Sequence, residues 1–330
     1  MSTGPVVKAP PWEPLPHWGP STPLAELTLD GTAVAVCVDG AGAPDFDSPR
    51  PHLHPVRTLA GVVVTDSAPA DHTWHVGLGL GVQDVDGHNL WGGRTYLPGA
   101  GYTWRRDHGR IRHDGWAGQP PTPPARQIAQ HLTQRLTWLS ADAEPLLVET
   151  RELRWARAGA HAWRLDLSTT LVATRPVRLG SPGAHGRVGG GYGGLFWRLP
   201  ACEDVDVRTP LARGEDAVHG SVPADGARWL AWSARAGADG GGEFTIAIAP
   251  ADEATARDPW FVRVSGYPGI GSALAWERAV TVSPRAGLRR SFRCVIADGR
   301  TPDADVGRLL DTAVPHSTVP HAPATPETGP

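Results

Sequence analysis

Residues 145–158 read PLLVETRELRWARA, between QHLTQRLTWLS at 130–140 and HAWRLDLSTTLVA at 161–173. Apolar and polar residues trade places along all three, the spacing of strands with one buried face. Short polar turns separate them, so they predict successive strands. The same rhythm continues outward. AELTLDGTAVAVCVDG (25–40) reads as two strands around an Asp-Gly turn. AGVVVTD (60–66) is a short β-branched run, and ARWLAWSAR, EFTIAIAP, WFVRVSGY and RRSFRCVIADG follow between 227 and 299. Turn signals recur roughly every 8–15 residues, the pattern of a sandwich or barrel.

Only TPDADVGRLLDTAV (301–314) reads as helix, with Thr301 as N-cap, Pro302 at the first position and acids in the first turn. The expected fold is therefore all-β: one large antiparallel β-sandwich over residues 24–313, closed by one short C-terminal helix. Residues 1–23 and 314–330 are Pro-rich and read as tails.

Composition narrows the function. The 34 acids against 31 bases leave a net charge of −3, which disfavours nucleic acid or an anionic membrane as partner. Lys8 is the only lysine and lies in the N-terminal tail, which excludes lysine Schiff-base chemistry and a Walker-type phosphate loop. Cys37, Cys202 and Cys294 are scattered and odd in number, the usage of free thiols in a reducing compartment. No apolar run reaches the roughly 18 residues of a membrane span, and the N-terminus lacks a signal-peptide core. A cytoplasmic location is expected.

Histidines carry the strongest chemical signal. RPHLHPVRT, DHTWHVG and DGHNLWGG place His52, His54, His72 and His75 close in sequence, with His88 just beyond and His113 in GRIRH. Such a group serves a divalent metal, with Asp71, Asp84, Asp86 or Glu149 as carboxylate, or it serves proton transfer without a metal. Glu149 sits mid-strand. Facing inward it would be a general base; facing outward it would pair with Arg151 or Arg154, which the pattern slightly favours. GGGYGG (189–194) matches a dinucleotide fingerprint only formally, because a strand-like LFWRLP follows it and not a helix. It marks either a tight turn or a loop lining a pocket. Among the 14 tryptophans, Trp74, Trp91, Trp104, Trp116 and Trp197 lie in loop-like sequence, where indole faces suit sugar rings.

In order and spacing, RPHLHPVRTLAGVVVTD, DHTWHVGL, NLWGG, GRIRH and GYGGLFWR resemble a bacterial family labelled PmoA and often called methane oxygenase. The resemblance spans roughly residues 45–300. It implies a large β-sandwich akin to the galactose-mutarotase supersandwich and a setting among sugar-processing enzymes. The methane label conflicts with the missing membrane spans. His72 and His75 match the family's histidine loop, while Thr73 and Val76 replace its usual proline and third polar residue. His54, Arg57, His113 and Arg198 match the other motifs.

Two functions of different class follow. The first is an enzyme acting on a carbohydrate or similar polyhydroxylated small molecule, of lyase, hydrolase or epimerase type. His72 and His75 would exchange protons, supported by His54 and Glu149. Arg57, Trp74, His88, Trp91, His113, Tyr192 and Arg198 would bind substrate. A divalent metal on a subset of His54, His72 and His75 is compatible with it. The second is a non-catalytic sugar-binding protein; a non-haem oxygenase using two His and one carboxylate stands behind both.

Overall fold

The computed structural model describes residues 19–117, 130–237 and 241–312. Both terminal tails fall largely outside the described residues. What is described is an all-β sandwich of two large antiparallel sheets and a small hairpin.

One sheet has eight strands, in the order β14 (Cys202–Arg208), β15 (Leu230–Ala236), β16 (Glu243–Pro250), β20 (Leu288–Asp298), β11 (Ala162–Val172), β10 (Pro145–Arg157), β9 (His131–Leu139) and β8 (Arg110–Trp116). The stretch 130–173 forms its centre as a continuous meander. Val148 pairs with Thr137 on one side and Val172 on the other. Leu147, Leu153 and Trp155 of β10 point inward.

The ten-stranded sheet runs β1 (Pro23–Leu29), β2 (Thr32–Val38), β3 (His52–Val56), β4 (Leu78–Val85), β13 (Gly194–Arg198), β18 (Gly269–Ala273) and β17 (Trp260–Arg263). Off this path, β5 (His88–Leu90) pairs with β4, and β12 (Val177–Gly180) joins β4 to β19 (Val280–Val282). The separate hairpin is β6 (Thr95–Leu97) with β7 (Gly101–Thr103). Asp30 and Gly31 make the expected turn between β1 and β2, both with positive φ.

Leu78, Leu80, Leu195, Trp197, Val262 and Ile270 face Leu165, Trp232, Ile246 and Ile296 across one apolar core. The outer face of the eight-stranded sheet is covered by α2 (Asp303–Asp311), whose Val306 and Leu310 pack on Ala231, Ala247, Val295 and Ala297. Small residues there let the helix approach the sheet. Pro302 takes the N-cap place expected of Thr301, a shift of one residue.

Two local expectations are corrected. AGVVVTD forms no strand: only Val63 makes an isolated bridge, with Arg57. The Val64 carbonyl there accepts from the Trp197 indole, and Thr65 Oγ1 accepts from the Val56 N–H, so side chains replace part of a ladder. A second helix, α1 (Glu215–Val218), also exists; its single turn is too short to show a helical period in sequence.

Candidate functional site

The outer face of the ten-stranded sheet carries the chemistry. Phe196 and Phe261 stand on it because their neighbours Trp197 and Val262 point into the core. Strand glycines hollow this face. A Cβ on Gly269 would come within 2.8 Å of the Phe196 ring, and one on Gly81 within 3.1 Å of Arg50 and 3.4 Å of Trp91. Aromatic rings therefore lie against bare backbone. Trp91, Tyr192, Phe196 and Phe261 form a buried cluster, with Trp74, Tyr267 and Trp276 packed on it.

The DHTWHVG loop joins β3 to β4 and is pinned to this face. Arg50 is buried, and its guanidinium donates to the carbonyls of Asp47, Ser48, Trp91 and Trp74. Thr73 Oγ1 donates to Asp47 Oδ1 at 2.9 Å, so this side chain anchors the loop. Val76 is buried, which leaves no room there for a polar side chain without a partner. Backbone bonds from Gly77 to Asp66 and from Arg198 to Gly77 stitch the loop to β13.

At the loop's tip, His72 Nδ1 donates to Asp71 Oδ2 at 2.7 Å. This bond fixes the tautomer and leaves Nε2 with its lone pair. Burial alone would raise the Asp71 carboxyl, but the His72 bond and the Arg198 charge hold it below the usual range. The His72 ring, 29% exposed, stacks on His75 with centroids 4.7 Å apart and planes 21° apart. Tyr267 closes on both, at 4.6 Å from His72 and 4.8 Å from His75. Desolvation, then the charges of His72, Arg198 and Arg50, push His75 far below the ordinary histidine range. It stays neutral, and its buried Nδ1 has no hydrogen-bond partner. Arg198 is buried beneath, 3.9 Å from both Asp66 and Asp71, with no hydrogen bond at Nε or Nη1.

His72, His75, Trp74, Trp91, Tyr192 and Arg198 thus come together. The other expected site residues do not join them. His54 pairs through Nδ1 with Thr65 Oγ1, and Arg57 donates to Gly61 in its own turn. His88 accepts from the Ala141 N–H at the β9–β10 turn, and His113 packs on Trp116 in the other sheet. Glu149 is fully buried between the sheets, where it accepts from Trp138 Nε1, Arg151 and Thr169. It is a core ion pair and stands apart from the histidines. GGGYGG does line the site: Gly191 packs under Trp276, where a Cβ would fall 2.4 Å from the indole, and Tyr192 joins the floor.

Among the described residues, no three His, Cys, Asp or Glu side chains are arranged to hold a metal ion. Asp71 occupies His72 Nδ1, and His54 turns to Thr65, so the donor set for a divalent metal does not assemble. Sequence reading missed Tyr267, Phe196 and Phe261. Tyr267 had one signal, SGYPG (265–269), an aromatic residue set in a tight turn, while Phe196 and Phe261 lay within strand-like runs.

Burial of imidazoles carries a pH signature. Desolvation lowers His52 to about 3, and His75 is shifted in the same direction from 6.5. Below pH 6.5 the unfolded chain therefore binds protons that the folded chain refuses. Stability is unaffected above that pH and falls on acidification, by about 1.4 kcal/mol per pH unit for each such histidine. Asp258, raised by burial to about 6, works the other way between that value and 3.8. A thermal midpoint that falls steadily between about pH 6.5 and 4.5 is expected from the two histidines outweighing one acid; a midpoint constant or rising over that range would contradict it.

No curated protein matches the chain. A family model described as a family of unknown function, DUF6807, matches residues 25–311. The chain belongs to that family.

Proposed function

We propose that the protein is an enzyme acting on a carbohydrate or similar polyhydroxylated small molecule on this aromatic face. One observation carries the reading: Asp71 holds His72 by Nδ1 while the imidazole stays partly exposed beside a wall of Trp74 and Tyr267. His72 Nε2 is the proton acceptor, and Asp71 stabilises the imidazolium that forms. Arg198 keeps Asp71 ionised. His75 does not ionise and acts as a neutral, rigid neighbour, so proton transfer falls to one histidine and not to a pair. Lyase, hydrolase and epimerase chemistry each begin with such a step. Aromatic rings flanking the base suit the C–H faces of a sugar. Kinship with PmoA-labelled proteins, a supersandwich relationship and a cytoplasmic location belong to the same proposal. Motif order supports the first two. Three unpaired cysteines and the lack of any helix able to cross a membrane among the described residues support the last.

The test is turnover. Aldoses, aldonates and uronates incubated with the protein are followed by proton NMR, with His72→Ala as control once circular dichroism shows it folded. Product from the wild type and at least about 100-fold less from the variant is expected. Equal turnover by both would refute the assignment. Saturable binding without any product would favour the non-catalytic sugar-binding alternative.

A further inference from the structure

Beyond Tyr267 the aromatic face ends in a cluster that the Asp71–His72 dyad does not use. Tyr192 Oη accepts from Gln83 Nε2 at 2.7 Å and donates to Tyr102 Oη at 3.2 Å. The Arg187 guanidinium lies over the Tyr102 ring, 5.1 Å from its centroid, and no carboxylate among the described residues pairs with it. Arg263 lies over Phe261 at 5.2 Å and meets Glu215 at 3.3 Å. That carboxylate also accepts from the Val264 backbone N–H, which divides its charge. Tyr267 lies between the cluster and the dyad: the charges of Arg263 and Arg187 act on its hydroxyl, and its ring rests on His72 and His75. Burial raises all three phenols, so each remains a donor at neutral pH.

Of the two guanidiniums, Arg263 is paired with Glu215 and Arg187 has no carboxylate partner among the described residues, in a partly desolvated aromatic setting. A half-buried cation without a counter-ion is costly, and guanidinium with phenolic O–H groups matches the oxygens of an anion. Resting on the functional reading above, we propose that this end of the site binds an anionic group of the substrate, a carboxylate or a phosphate, through Arg187 and Arg263 with the Tyr102 and Tyr267 hydroxyls. The substrate class is then an acidic or phosphorylated sugar, laid across Tyr267 with its neutral end at His72.

Tryptophan fluorescence titrations with glucose, gluconate, glucuronate and glucose 6-phosphate test this on the full chain and on Arg187→Gln. The wild type should bind an anionic member at least about 10-fold more tightly than glucose. That preference should vanish in Arg187→Gln and persist in part in Arg187→Lys. Stronger binding of glucose 6-phosphate than of the two acids assigns a phosphate, and the reverse order assigns a carboxylate. Glucose binding as well as every anion, or a preference unchanged in Arg187→Gln, overturns the anion subsite while leaving the sugar reading intact. Binding of none of the four overturns both.

Discussion

Replacing Glu149 by alanine lowers the unfolding free energy by about 3–5 kcal/mol. The carboxylate is fully buried between the two sheets and accepts Arg151 Nε at 2.7 Å and Nη2 at 3.1 Å. Trp138 Nε1 at 2.7 Å and Thr169 Oγ1 at 2.9 Å complete its shell. Removing it strands the Arg151 guanidinium in an apolar core, where its one remaining hydrogen bond runs to the Pro51 carbonyl. An unpaired buried charge costs more than the pair itself contributes. The double variant Glu149→Leu/Arg151→Met should therefore recover much of the loss. Chemical denaturation of the single and double variants checks both statements. A single-variant loss under about 1 kcal/mol would contradict this account of the core.

Asp71→Asn should leave the fold intact and lower turnover by about 10²- to 10⁴-fold. Asp71 is half exposed, so little packing is lost. Its chemical role is specific: a carboxylate accepts from His72 Nδ1–H, whereas an amide can also donate to that nitrogen and favour the opposite tautomer. The ring would then present Nε2–H to the substrate and cease to be a base. The negative charge that stabilises the imidazolium would be lost as well. Turnover on the substrate found for the wild type, with thermal midpoints of both proteins, separates this from unfolding. A variant equally stable and equally active would remove Asp71 from the reaction.

The meander at 130–173 was legible because its turns are short and its alternation long. Glu149 shows the limit. Leu146, Leu147 and Val148 form an unbroken apolar run that obscures the phase of the strand. Leu153 and Trp155 point inward and carry Glu149 and Arg151 with them, and the two charges are buried because they neutralise each other. A polarity pattern sends such a pair outward. At the site, the DHTWHVG loop, Trp91, Tyr192 and Arg198 were readable as motifs. His54, Arg57, His88 and His113 sit in equally suggestive motifs, yet proximity along the chain does not decide which face of which sheet a side chain reaches. Tyr267 and Phe261 come close only because β13, β18 and β17 follow β4 in the sheet, a neighbour order that no local pattern encodes.

The dyad can be examined directly, without any substrate, by ¹⁵N NMR of the histidine ring nitrogens across a pH titration. In the wild type, His72 should be protonated at Nδ1 with a free lone pair at Nε2 when neutral, and His75 should show no protonation down to the onset of acid unfolding. A neutral His72 carrying its proton on Nε2, or a His75 that titrates near 6.5 in the folded protein, would contradict the assignment of His72 as the base.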